Sequence, residues 1–145
     1  ILPVVQLIHG VDSLKLLKEI NKQAAKTGKP VDCLLQVHIA QEETKFGLDE
    51  TELREVLKTV RTEGMDHVRI CGLMGMASFS TDTSLLVKEF RQLRQLFDSC
   101  KELAPAGNHF QQLSMGMSSD YRLAIEEGST MLRIGSLLFG EREQK

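Results

Sequence analysis

The chain has 145 residues, 41% of them hydrophobic and 26% charged, and its 18 Lys and Arg against 20 Asp and Glu give a formal net charge of −2. That length supports one domain with a buried core. No basic block stands out, so nothing points to nucleic acid, and no apolar run approaches the roughly 20 residues needed to cross a bilayer. Cys33, Cys71 and Cys100 are widely spaced and odd in number, so neither a disulfide nor a zinc site is expected, and a reducing cytoplasm fits best. The opening from Ile1 to His9 lacks a Met, a basic start and a small-residue cleavage site. It reads as a buried strand cut off from whatever preceded it.

Val4 to Ile8 is a short apolar run of strand character. Asp12 is placed to cap a following helix, whose apolar stripe is Leu14, Leu17, Ile20 and Ala24 and whose end is marked by Gly28 and Pro30. Val31 to Ala40 is almost continuously apolar, as suits a parallel strand covered by helices. A polar loop from Gln41 to Gly47 contains Glu42, Glu43 and Lys45. A helix over Asp49 to Glu63 then carries Leu53, Val56, Leu57 and Val60 on one face and stops at Gly64. Val68 to Met76 reads as a third strand. A longer helix is expected from about Asp82 to Leu103, with Leu85, Leu86, Phe90, Leu93, Leu96 and Phe97 facing the core, before Pro105 and Gly107. Phe110 to Met117, a short helix over Ser118 to Glu127, and a last strand over Met131 to Phe139 complete the pattern. Met74, Met76, Met115 and Met117 fall inside strands and read as core packing.

Strict β-α alternation argues for a parallel sheet with right-handed crossovers. Two α/β architectures fit it: an open doubly wound sheet, or part of a (β/α)8 barrel. A complete barrel takes about 250 residues, so five strands amount to about five eighths of one. His9-Gly10-Val11-Asp12 after the first strand is not a dinucleotide fingerprint.

The chemistry concentrates near the C-terminus. Leu113 to Met117 runs into Ser118-Ser119-Asp120 and a helix start. That arrangement is either a plain helix cap or an anion site built from free N–H groups and hydroxyls. Asp120 weighs against an anion. Arg133 interrupts an apolar strand, which alternation turns away from Leu132 and Ile134. A buried guanidinium needs a partner, either a carboxylate or a ligand. Gly135 and Ser136 follow it with N–H groups and a hydroxyl. Both elements lie at C-terminal ends of neighbouring strands, where α/β folds bind ligands. The four histidines lack metal-ligand spacing, so no metal is expected, and His38 reads as a core histidine.

The run Ser114 to Asp120, with Ala124-Ile125, Glu127 to Met131, Arg133 to Ser136 and Phe139-Gly140, resembles the C-terminal signature of the YggS/PROSC family of pyridoxal-phosphate homeostasis proteins, related in fold to the alanine racemase barrel. Gln36 to Ile39 with Glu43, Lys45 and Gly47, then Gly72 to Met74, and also His9, Asp12 and Ser13, resemble its upstream strands and loops. The resemblance covers essentially the whole chain and implies a partial (β/α)8 TIM barrel, about strands four to eight, forming the C-terminal part of a single pyridoxal-phosphate-binding domain. It implies that Ser118, Gly135 and Ser136 hold the phosphate of pyridoxal 5′-phosphate and that Arg133 faces the pyridine nitrogen. A permanent cation there makes the ring a poorer electron sink, which favours holding the cofactor, or a restrained racemisation, over varied amino-acid chemistry. The family's Schiff-base lysine lies in an Ala-Val-Ser-Lys-type run on its first strand. No such run occurs here, and Lys15, Lys18, Lys22, Lys45, Lys88 and Lys101 lack that context, so no catalytic residue is assigned. The enzymatic alternative is an amino-acid racemase, for which the one tyrosine, Tyr121, is badly placed. A sugar-phosphate barrel enzyme is a further alternative. Five strands leave two open edges, from which self-association of the chain is expected.

Overall fold

The computed structural model describes residues 7–40, 47–104 and 109–133. In chain order the elements are β1 (Leu7–Val11), α1 (Leu14–Thr27), β2 (Val31–Val37), α2 (Glu50–Glu63), β3 (Val68–Gly75), α3 (Thr83–Cys100), β4 (Gln112–Met117), α4 (Tyr121–Glu126) and β5 (Met131–Arg133). The strands form one parallel sheet in the order β1-β2-β3-β4-β5. Neighbours in the sheet are neighbours in the chain, so there is no order reversal of the kind that defines a doubly wound fold. The sheet is an arc of a (β/α)8 barrel with its helices on one side, and the open-sheet alternative is set aside.

Several boundaries differ from the sequence reading for local reasons. Ser13, not Asp12, caps α1, because its hydroxyl accepts the Leu16 N–H at 3.1 Å. Asp49 caps α2 in a reciprocal box with Glu52, and such caps contribute about 1 kcal/mol each. Asp82 lies outside α3 as its cap, accepting from Leu85 N at 3.3 Å, and α3 ends at Cys100 rather than Leu103. The short helix starts at Tyr121, three residues later than expected. Among the described residues the first strand spans Leu7–Val11, running past the expected end at Ile8, while Val4 to Gln6 lie outside the described residues; the second stops at Val37, with Ile39 and Ala40 buried beyond it. Met117 is 44% exposed and is not core.

The core lies between the convex face of the sheet and the helices. Val31, Cys33, Leu35 and Val37 of β2 meet Leu53, Val56, Leu57 and Val60 of α2 and Leu17, Ile20 and Ala24 of α1. Phe90, Leu93 and Phe97 of α3 fill the space behind β3 and β4. Two glycines permit close approaches. At Gly72 (φ 152°) a Cβ would fall 1.7 Å from the Gln112 carbonyl oxygen, and at Gly116 (φ 103°) it would fall 2.6 Å from Ala124 Cβ. The first lets β4 pair with β3; the second lets α4 lie flat on β4. Among the described residues no helix is long and apolar enough to cross a membrane.

Candidate functional site

The concave face is where chemistry can collect, because the helices occupy the other. Strand alternation turns Asp32, Leu34 and Gln36 of β2 inward. A bulge at Cys71 resets β3, so that Cys33 pairs with Ile70 but Leu34 pairs with Gly72, and Met74 comes to lie beside Gln36. Ser114 pairs with Met74 on one side and Met131 on the other. Leu132 of β5 packs into the core, so Arg133 points inward.

Two arginines on this face have different partners. At the N-terminal ends of the strands, Arg69 Nε meets the Asp32 carboxylate at 2.6 Å. At the C-terminal ends Arg133 has no such partner among the described residues. Its Nη1 donates to the fully buried Ser114 hydroxyl at 2.8 Å and to the Ser114 carbonyl at 3.4 Å, and its Nη2 donates to the Gly75 carbonyl at 3.0 Å. The guanidinium therefore spans β5, β4 and β3 on neutral acceptors, and the Arg–carboxylate pair considered from sequence is not formed among the described residues. Burial pulls the Arg133 pKa below the ordinary arginine value, and the charge of nearby Asp120 partly offsets this. Nε and one Nη2 hydrogen meet no further acceptor among the described residues, of the five donors a guanidinium carries.

Ser118 follows Met117, the residue paired with Arg133, so the structure brings these two predicted residues to one end of the sheet. Gly135 and Ser136 lie outside the described residues. The serine-cap alternative is not what forms: Asp120 occupies the cap position of α4 without a capping bond, and its carboxylate turns back to accept the Met117 N–H at 2.7 Å. A shallow depression of about 280 Å³ opens at this turn, lined by residues from Ser119 to Leu123. A larger one, about 540 Å³, lies at the opposite end of the sheet, between Arg61, Arg69 and His109. It touches none of the residues that converge on Arg133.

Several contributors were not anticipated. Ser129 donates to the Met115 carbonyl at 2.6 Å, and the Thr130 hydroxyl accepts from Leu113 N at 2.7 Å, which fastens β5 and so aims Arg133. Glu89 is 1% exposed and accepts from both the N–H and the hydroxyl of Ser78, fixing the loop after β3. Its place within the apolar stripe of α3 was a visible signal. On β1 and beyond β2, the buried Nδ1 atoms of His9 and His38 have no hydrogen-bond partner among the described residues. Burial, assisted by the Arg133 charge, lowers the His9 pKa below its usual value. No group of three or more His, Cys, Asp or Glu among the described residues could hold a metal. Tyr121 opens α4, where its hydroxyl accepts from Arg122 Nε at 3.3 Å.

A parallel arc with outer helices defines part of a β/α-barrel domain, and its polar cluster lies at the C-terminal ends of the strands, the end at which such barrels carry their sites. Residues 2–143 match the family model for the alanine racemase N-terminal domain, and the chain belongs to that family. It is 41% identical over 140 residues to a pyridoxal phosphate homeostasis protein of Aquifex aeolicus, covering 96% of this chain and 59% of that protein. Against the protein of the same name from Escherichia coli the identity is 33%, covering 93% and 56%. The chain thus spans somewhat over half the length of these relatives. A solved structure of PipY from Synechococcus elongatus with pyridoxal phosphate bound superposes with a TM-score of 0.81 at 33% identity, covering 93% of this chain and 61% of that one. Alanine racemase from Bartonella henselae shares the fold at a TM-score of 0.61 and 16% identity, covering 94% of this chain and 37% of that one.

Proposed function

We propose that the chain forms the C-terminal part of a single barrel domain that binds pyridoxal 5′-phosphate, and that the whole protein holds and releases the cofactor in the cytoplasm with little turnover. The observation that carries this is Arg133, a half-buried cation held by the Ser114 hydroxyl and the Gly75 carbonyl with donors to spare. A site built that way suits a ligand presenting a neutral acceptor and an anionic group. The pyridine nitrogen is such an acceptor and the phosphate such an anion. Ser118, with Gly135 and Ser136, is assigned to the phosphate, and Arg133 to the ring nitrogen. When bound, pyridoxal phosphate supplies an electron-withdrawing ring for chemistry at an amino acid's α-carbon. Arg133 opposes protonation of the nitrogen, so this chain's own residues weaken that capacity while retaining the group. The relatives named for pyridoxal phosphate homeostasis and the PLP-bound PipY support the reading.

An amino-acid racemase would need acid/base groups on both faces of the substrate, and Tyr121, engaged by Arg122 at the head of α4, is a poor candidate for one. The unpaired edges of β1 and β5 among the described residues further suggest that the isolated chain self-associates; a monomeric mass by light scattering would refute this. The main reading is tested by equilibrium dialysis of the chain with pyridoxal phosphate, pyridoxal and glycerol 3-phosphate. Pyridoxal phosphate should bind about tenfold or more tightly than either, since it alone engages both halves of the site. Equal binding of glycerol 3-phosphate would overturn the assignment of Arg133.

A further inference from the structure

We propose that His9 is a second ligand-contacting residue of the site defined by Arg133, its imidazole hydrogen-bonding a polar ring substituent of the bound pyridoxal. The inference rests on the pyridoxal-phosphate reading and adds to it a contact from the opposite end of the arc. A bulge interrupts β1. Ile8 pairs with Cys33, whereas Val11 pairs with Leu35, so β1 carries one residue more than β2 between these pairs. Ile8 and Val11 both pack toward the helices although they are three positions apart, which strict alternation forbids and a bulge allows. The extra residue directs His9 to the concave face and leaves Gly10 against Gln36, where a Cβ would lie 3.2 Å from Gln36 Oε1.

β1 and β5 are the two ends of the arc, and the bulge in β1 and the alternation of β5 turn His9 and Arg133 to the same concave face. The Arg133 charge contributes, after burial, to the lowered His9 pKa. His9 Nδ1 is buried there with no partner among the described residues. A buried polar atom left unpaired is costly, and such atoms are uncommon in native proteins unless a ligand or water completes them. Burial, and after it the neighbouring cation, lowers the His9 pKa and so favours the neutral imidazole, whose one donor and one acceptor nitrogen can answer either kind of ring substituent.

The test is a titration of the 15N-labelled chain with pyridoxal phosphate, read by long-range 1H–15N correlation of the imidazoles. The His9 signals are assigned by their loss in His9→Phe. The His9 nitrogen shifts should move on binding while those of the exposed His109 stay fixed. At pH 7 His9→Phe should weaken pyridoxal phosphate binding about tenfold, the effect of losing one buried polar contact, while its urea midpoint at that pH stays unchanged. Cofactor binding with static His9 resonances would overturn this proposal and leave the cofactor reading intact. Absence of any binding to the unmodified chain would overturn both.

Discussion

Glu89 holds Ser78 by both oxygens of its carboxylate: Oε1 accepts the Ser78 N–H at 2.6 Å and Oε2 accepts the Ser78 hydroxyl at 2.7 Å. The pair joins the middle of α3 to the loop after β3, three residues beyond the Gly75 carbonyl that carries Arg133. Glu89→Ala should therefore cost about 2–4 kcal/mol, because it removes two short buried hydrogen bonds to Ser78 and opens a cavity in the helix layer. Glu89→Gln keeps an acceptor for the N–H and should cost about half as much or less. Urea unfolding of both variants checks this ordering.

Arg133→Lys preserves the charge and removes the fork. A single ammonium on a flexible stem cannot match the planar reach to Ser114 Oγ and the Gly75 carbonyl. The expected outcome in dialysis is a loss of pyridoxal phosphate affinity of about tenfold. Arg133→Gln should lose at least as much, and full retention by either variant would contradict the role given to the guanidinium.

Gly72→Ala should be among the most disruptive single changes. The new methyl would be placed 1.7 Å from the Gln112 carbonyl oxygen at a φ of 152°, and backbone cannot yield as a side-chain tip can. A loss of about 3 kcal/mol or more is expected from strain and broken β3–β4 pairing. It would be seen as a lowered urea midpoint or failure to accumulate folded protein.

His9 carries a pH dependence of known sign. Its folded pKa lies below the usual value of 6.5, so between these two values the unfolded chain binds more protons than the folded one. Stability then rises with pH through that window. Its His9 component is fully present above about 6.5 and is lost as pH falls toward the folded pKa. Urea midpoints measured from pH 7 down to pH 5 should fall more steeply for the unmodified chain than for His9→Phe.

The cysteines should be quiet toward thiol reagents. Burial pushes Cys33 up to about 12, and burial with the Asp32 carboxylate pushes Cys71 up to about 11. Cys100 is fully buried and also raised by burial. At pH 8 the folded chain should react with a disulfide probe far more slowly than the urea-unfolded chain, because the thiolate is the reacting form.

Element order and the helix faces were readable because periodicity and caps are local: Leu53, Val56, Leu57 and Val60 were named from spacing and all four are buried. Arg133 was visible as a charge within an apolar strand. Its partners were not, because a hydroxyl one strand away and a carbonyl two strands away leave no mark on spacing. Strand ends were misplaced where the concave face intrudes. His9 and Gly10 look unlike strand residues until a sheet is known to have a polar inner side. Bulges are equally silent, and they decide which side chains reach that space.

The sheet order has a consequence for how the chain assembles. Each β-α unit rests chiefly on the unit before it and the unit after it, so stability accumulates by nearest-neighbour coupling, much as in a solenoid. Pairing then never has to bridge distant parts of the sequence, and the loop-closure entropy paid at each step stays similar. Unfolding should accordingly begin at the terminal units and move inward, with amide exchange slowest in β2, β3 and β4, which have sheet neighbours on both sides.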